Sequence, residues 1–271
     1  MHRSGTSAVA RGLAALSVDL GDNFFDVQPD NPTGYWEDKT IVEINQRVLD
    51  ELGLRWDDVP LIAQERFQHH RIRLQRLKAV RYLKEKFGSR PLWGFKDPRT
   101  IRLLPFWQAA LRDSGADDAY VVAIRHPRSV AASLFRRQEI TPQKAQRLWL
   151  VHMVPFLHEL KGKPFVVVDY DLLARAPRSA LERIARRLDL PIDAAVAREI
   201  DRFTADFFDH GLRHSVFSTH EFDATTDAAR LTQTAYLLLH DLATDRLRPG
   251  ETFWRAWTKV RCDVDTLLHD A

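Results

Sequence analysis

The sequence predicts an α/β fold in which a central, mostly parallel sheet is covered by helices on both faces. Three observations lead there. Short, continuous apolar runs, β-branched or aromatic, recur at residues 92–95 (LWGF), 120–124 (YVVAI) and 165–168 (FVVV). Amphipathic runs of helical period fall between and after them. No repeat, low-complexity tract or Gly/Ser linker interrupts the 271 residues, so 1–271 reads as a single domain. Hydrophobic residues make up 45% of the chain and charged residues 28%, which is enough to bury a sizeable core.

In chain order, residues 2–7 (HRSGTS) form a turn that opens a helix over 7–16. Asp38 is placed to cap a helix whose apolar stripe is Ile41, Ile44, Val48, Leu49 and Leu52. A helix over 100–113 follows the first strand, with Pro105 expected to kink it. Helices over 129–137 and 143–160 follow the second strand, and one over 180–188 follows the third. Two more, over 224–242 and 252–268, close the chain. Ligands of such sheets bind at the carboxyl ends of the strands, so the strand-to-helix junctions are where chemistry is expected.

The turn at 2–7 breaks the pattern. A phosphate-type loop should follow a buried strand, and here only Met1 and His2 precede it. Without that strand two neighbours are left with unpaired backbone groups. The expected fold therefore lacks its first strand, and the reading is that the polypeptide starts upstream of Met1 or is a fragment.

Composition narrows the function classes. Cys262 is the only cysteine, which excludes an internal disulfide and a Cys-based zinc site and fits a reducing, cytoplasmic setting. The eleven histidines show no metal-ligand spacing, so no metal is expected. No apolar run approaches the ~20 residues of a membrane span. Arg11 breaks the apolar stretch at the start, and no small-residue cleavage site follows, so no secretory leader is read there. The net charge of +3 gives little support to a nucleic-acid partner, while the basic balance suits a small anionic ligand where the positive charge is clustered. Residues 66–86 carry eight basic side chains, read as a solvated helix face or as a docking surface for an anionic glycan or lipid head group. The seven tryptophans read as core, with Trp36 set apart by its place beside Glu37.

Four segments carry chemistry. In the first, Gly5 lets the backbone turn closely round an oxyanion, and Ser4, Thr6, Ser7 and the following N–H groups donate to it. Arg3 adds a bidentate clamp. No lysine follows Gly5, so this is no Walker A loop, and a capped helix start stands as the other reading. In the second (RHPRSVAAS), Arg125 closes the strand YVVAI and Ser133 lies eight residues on in the following helix, both placed to reach one phosphate. In the third (KDPRT), Lys96 at a strand end offers a mobile point charge, and Asp97 orients it or caps the next helix. In the fourth (GYWED), Glu37 is a helix cap or a general base.

Together and in this order, the four segments resemble the sulfotransferases that use 3′-phosphoadenosine-5′-phosphosulfate (PAPS), in particular bacterial members and the Golgi carbohydrate and tyrosyl-protein branch. Residues 2–7 are similar to the family's 5′-phosphosulfate loop, in the version with arginine where the cytosolic aryl enzymes carry lysine. Arg125 and Ser133 match the spacing of its 3′-phosphate pair, and Lys96-Asp97-Pro98 resembles its lysine motif. Asp169-Tyr170-Asp171-Leu172 is similar to the family's strand ending in Tyr-Glu-Asp-Leu. Residues 211–214 (GLRH) look like a late loop of bacterial members, in which Arg213 replaces a phosphate contact of the Arg-Lys-Gly motif absent here. The resemblance implies a P-loop-like three-layer fold. It also implies sulfuryl transfer from PAPS to a hydroxyl or amine of a carbohydrate or small-molecule acceptor, leaving 3′-phosphoadenosine-5′-phosphate. Glu37, Lys96 and Arg3 would be catalytic. Arg3, Ser4, Gly5, Thr6, Ser7, Arg125, Ser133 and Arg213 would bind the nucleotide. Two other readings stand beside it: a P-loop nucleotide or small-molecule kinase, and a truncated, non-catalytic remnant.

Overall fold

The computed structural model describes residues 1–27, 34–207, 217–218, 221–222 and 225–269. The chain is mostly helical (62%), with one two-stranded parallel sheet among the described residues. Helix α1 (Thr6–Ala15) starts directly after Gly5. Helix α2 (Lys39–Glu51) starts after Asp38, whose Oδ1 accepts from the backbone N–H groups of Thr40 (2.9 Å) and Ile41 (3.0 Å). That satisfies two of the donors a helix start leaves open. The expected stripe from Ile41 to Leu52 is buried along its length.

Helix α3 (His70–Phe87) packs on α2 and on α4 (Leu104–Ser114). The single kinked helix expected over 100–113 is instead a 3₁₀ turn, Thr100–Leu103, followed by α4. Pro105 stands in the first turn of α4, where its missing N–H breaks no helical bond, so it starts a helix rather than bending one. Strand β1 (Tyr120–Ile124) leads to α5 (Pro127–Gln138) and α6 (Pro142–Met153). The helix expected over 143–160 ends at Met153, and a separate 3₁₀ turn, Leu157–Leu160, follows Pro155, which cannot donate to a continuing helix. Strand β2 (Phe165–Asp169) runs into the short α7 (Tyr170–Arg175), then α8 (Pro177–Leu188) and α9 (Ala194–Arg202). The chain closes with α10 (Asp227–Ala243) and α11 (Glu251–His269).

The two strands pair in parallel, from Tyr120 opposite Phe165 to Ile124 opposite Asp169. Alternation puts their side chains into two separate cores. Val122, Ile124 and Val167 join a large core with α2, α3, α4, α6, α10 and α11. Ala123, Val166 and Val168 join a smaller one with α1, α8 and α9. Both faces of the pair are therefore covered, as its continuous apolar runs require. Because Ile124 faces Asp169, the next residues, Arg125 and Tyr170, leave the sheet side by side at its carboxyl end.

Residues 92–95 do not form the strand expected of them. Trp93 makes one isolated parallel bridge with Asp19: the Asp19 N–H donates to the Leu92 carbonyl (3.2 Å) and the Gly94 N–H to the Asp19 carbonyl (3.0 Å). A strand needs a ladder of successive partners, and the described chain supplies one residue. No helix among the described residues is long and apolar enough to cross a membrane.

Candidate functional site

The amino-terminal loop reaches the carboxyl end of the sheet. Arg3 and Gly5 both adopt left-handed backbone, at φ 64° and 76°, which curls the loop before α1. Gly5 lies flat against the ring of Tyr170; a Cβ on it would come 2.1 Å from Tyr170 Cδ2. The Arg125 guanidinium carbon sits 4.7 Å from the centroid of the same ring. One aromatic ring thus touches both the glycine turn and Arg125. Arg3 Nε donates to Ser133 Oγ at 2.8 Å, so the loop also touches the serine of the second motif across 130 positions of sequence. Ser133 is the seventh residue of α5, close to two turns in, and is buried.

The third and fourth motifs meet beside the loop. Lys96 Nζ donates to Glu37 Oε1 (2.6 Å), to the Tyr35 carbonyl (2.7 Å) and to Ser7 Oγ (3.3 Å). Ser7 Oγ in turn donates to the Tyr35 carbonyl at 3.1 Å. The Lys96 and Glu37 side chains are only 12% and 14% exposed, so water screens the pair weakly. Burial pushes the Glu37 carboxyl above its ordinary range, against the pull of Lys96. Burial likewise brings the Lys96 ammonium below its ordinary value, against the pull of Glu37. The lysine expected as a mobile charge is therefore held in place by three acceptors. Asp97 neither holds Lys96 nor caps the next helix. It takes Arg99 in a two-pronged pair, Nε to Oδ1 at 2.8 Å and Nη2 to Oδ2 at 2.5 Å.

The other loop residues divide. Thr6 opens α1, whose first turn carries no acidic residue. Ser4 is fully buried, and its Oγ has no hydrogen-bond partner among the described residues. Arg213 and the segment 211–214 lie outside the described residues. Three participants carried no sequence role: Tyr170 as the ring touching both Gly5 and Arg125, the Tyr35 carbonyl as an acceptor for Lys96, and Arg137, which donates to the Tyr35 hydroxyl at 3.1 Å. Tyr170 had a usable signal, since it directly follows a strand at the end of the sheet where ligands bind. A backbone carbonyl such as that of Tyr35 has none.

His126, next to Arg125, caps α5 by accepting from the Arg128 N–H at Nδ1 (3.3 Å). Its ring packs on Phe222 and Tyr236. Burial lowers its pKa to about 4; Arg128 and His240 act in the same direction and Asp171 opposes them. A folded-state value below the unfolded 6.5 means that the unfolded chain binds the proton first. Stability should then be full above about pH 6.5 and fall as pH drops toward 4, by about 3 kcal/mol from this residue. Urea midpoints at pH 7 and pH 5 check it. His126→Gln should flatten part of the slope, while His2, His152 and the Met1 amine, all buried and shifted the same way, contribute to what remains.

Comparison of the chain with protein-family models, with curated proteins and with solved structures returns no match.

Proposed function

We propose that the chain is a PAPS-dependent sulfotransferase that moves a sulfuryl group to a hydroxyl or amine of a carbohydrate or small-molecule acceptor. The observation that carries the reading is the hydrogen bond from Arg3 to Ser133. It joins the loop and the Arg125/Ser133 motif, two anion-binding segments far apart in sequence, into one basic surface at the end of the sheet. The reading carries with it a P-loop-like three-layer fold.

The residues present fit a nucleotide phosphorylated at both ends. Ser4 Oγ, beside Gly5, is a buried hydroxyl with no hydrogen-bond partner among the described residues, and the first turn of α1 offers N–H groups with no carboxylate to compete. These groups and Arg3 would hold the 5′-phosphate, while Arg125 and Ser133 would hold the 3′-phosphate. Bound there, PAPS supplies an activated sulfuryl group.

The protein's part is acid–base and electrostatic. Glu37, raised by burial, accepts the proton as the acceptor O–H or N–H bond breaks; a base nearer the working pH serves better than an ordinary carboxylate. That proton neutralises the partner of Lys96. The lysine's charge is released toward the transferring oxygens as negative charge develops there. Arg3 and the loop N–H groups stabilise the phosphate oxygen that keeps the electron pair of the broken bond.

Thermal unfolding with 3′-phosphoadenosine-5′-phosphate, adenosine 5′-phosphate and ATP tests the reading. At 100 times its Kd the bisphosphate should add about 2.7 kcal/mol of stability. Adenosine 5′-phosphate should bind about 1.5–3 kcal/mol more weakly, and Arg125→Ala should erase that difference. Equal responses to the three nucleotides, or a difference that survives Arg125→Ala, would overturn it.

A further inference from the structure

Residues 66–86 carry eight basic side chains, and the fold divides them into two sets. One set is used within the protein. Arg66 Nη2 donates to the Leu52 carbonyl (2.8 Å), Arg71 pairs with Glu51 (3.6 Å), Arg76 pairs with Asp113 (3.1 Å), and Lys86 pairs with Asp22. The other set, Arg73, Lys78, Arg81 and Lys84, is exposed along α3. Residues 73, 77, 81 and 84, with 74 and 78 beside them, recur at three- and four-residue steps and so share one flank of the helix. Ile72, Ala79, Leu83 and Phe87 hold the opposite flank in the core. Two leucines stand among the exposed charges: Leu74 is 55% exposed and Leu77 62%. Glu85 is the one carboxylate in residues 66–86, and it pairs with Arg81 (2.7 Å). Arg73, Lys78 and Lys84 make no ion pair among the described residues. A merely solvated flank accounts for the charges but not for two adjacent leucines in water, where Lys, Glu or Gln would support the helix as well.

We propose that the outer flank of α3 docks on an anionic membrane surface. Leu74 and Leu77 enter the boundary between head groups and acyl chains, and Arg73, Lys78, Arg81 and Lys84 meet the lipid phosphates and carboxylates around them. Charge complementarity selects the sign of the surface, since the flank carries four cations against one carboxylate. The leucines select its kind. An acidic glycan matches the charges but leaves both leucines in water, whereas the edge of a bilayer takes up both groups at once. The contact is peripheral: α3 is not long and apolar enough to cross a membrane, and its other flank stays in the protein core. Two leucines and a few charges make a reversible attachment, and its electrostatic part weakens with salt. The inference stands apart from the nucleotide reading, because its test contains neither nucleotide nor acceptor.

Co-sedimentation of the whole chain with vesicles tests it. Phosphatidylcholine vesicles containing about one third phosphatidylserine should carry the protein down, and phosphatidylcholine alone should not. In about 1 M salt, where the Debye length is about 3 Å, binding should fall on the order of tenfold or more. Leu74→Gln with Leu77→Gln keeps every charge and a good helix former at both positions, and should weaken binding on the order of tenfold or more. Lys78→Glu with Lys84→Glu should weaken it at least as much. Lys161→Glu with Lys259→Glu makes the same change in net charge at exposed positions elsewhere and should bind within a few-fold of the parent. All six positions are exposed, so each variant should keep the parent's thermal midpoint. No binding to the anionic vesicles, parent-like binding by the leucine variant, or equal losses in the two lysine variants would overturn the proposal. So would binding to an acidic oligosaccharide in place of vesicles, which would assign the flank to a glycan. A dimer of the parent that the leucine changes dissociate would assign it to a second copy of the chain and overturn the proposal as well.

Discussion

Glu37→Gln should lower turnover by about 10²–10⁴-fold while nucleotide affinity stays within a few-fold of the parent. The substitution keeps the shape of the side chain and an oxygen that can accept from Lys96, so the contacts that place Lys96 against the Tyr35 carbonyl and Ser7 remain. It removes the one atom able to take a proton from the acceptor. It also removes the counter-charge of a buried ammonium, and breaking such a pair from one side costs about 3–5 kcal/mol. Part of that appears as lost stability, so turnover is to be read on the folded fraction. The pH profile separates the chemical role from the structural one. A base must be deprotonated to act, so parent activity should rise with pH through a value above the ordinary carboxylate range, where burial places Glu37. In Glu37→Gln that limb should vanish. Parent-like turnover would move the base elsewhere. His69 and His70 would be next, although both are exposed at the start of α3.

The parts of this arrangement that sequence discloses are those set by local pattern. Residues 120–124 and 165–168 read as strands because continuous β-branched runs suit a sheet buried on both faces, and both strands form there, the second running one residue further to Asp169. The stripe from Ile41 to Leu52 and its Asp38 cap are equally local. Residues 92–95 carry the same signal and fail to form a strand, because pairing is a property of two segments and, among the described residues, only Asp19 bridges to them. Lys96 shows the same limit at the site. Its charge directly after an apolar run is legible, but the three acceptors that hold it come from α1 and the segment before α2. Asp97 turns to Arg99 two residues away, one of several local partners that spacing alone cannot rank.

Gly5→Ala tests whether the loop and Arg125 form one mechanical unit. Two separate costs arise. At φ 76° any residue with a Cβ is strained by roughly 1–2 kcal/mol. The new methyl group would also lie 2.1, 2.6 and 2.9 Å from Cδ2, Cγ and Cβ of Tyr170, so ring and loop cannot both stay in place. The ring carries the Arg125 guanidinium on it, so displacing it also disturbs the group assigned to the 3′-phosphate. Affinity for 3′-phosphoadenosine-5′-phosphate should therefore fall on the order of a hundredfold, about 3 kcal/mol, more than strain alone explains. Tyr170→Ala by itself removes a cation–π contact worth about 0.5–2 kcal/mol and should weaken binding several-fold. The two changes should not add. With the ring gone the alanine methyl has room, and the double variant should bind more tightly than Gly5→Ala alone, leaving only the backbone strain and the lost stacking. A double variant as weak as the sum of the two singles would mean that Gly5 acts through its backbone conformation alone, and that Tyr170 does not couple the loop to Arg125.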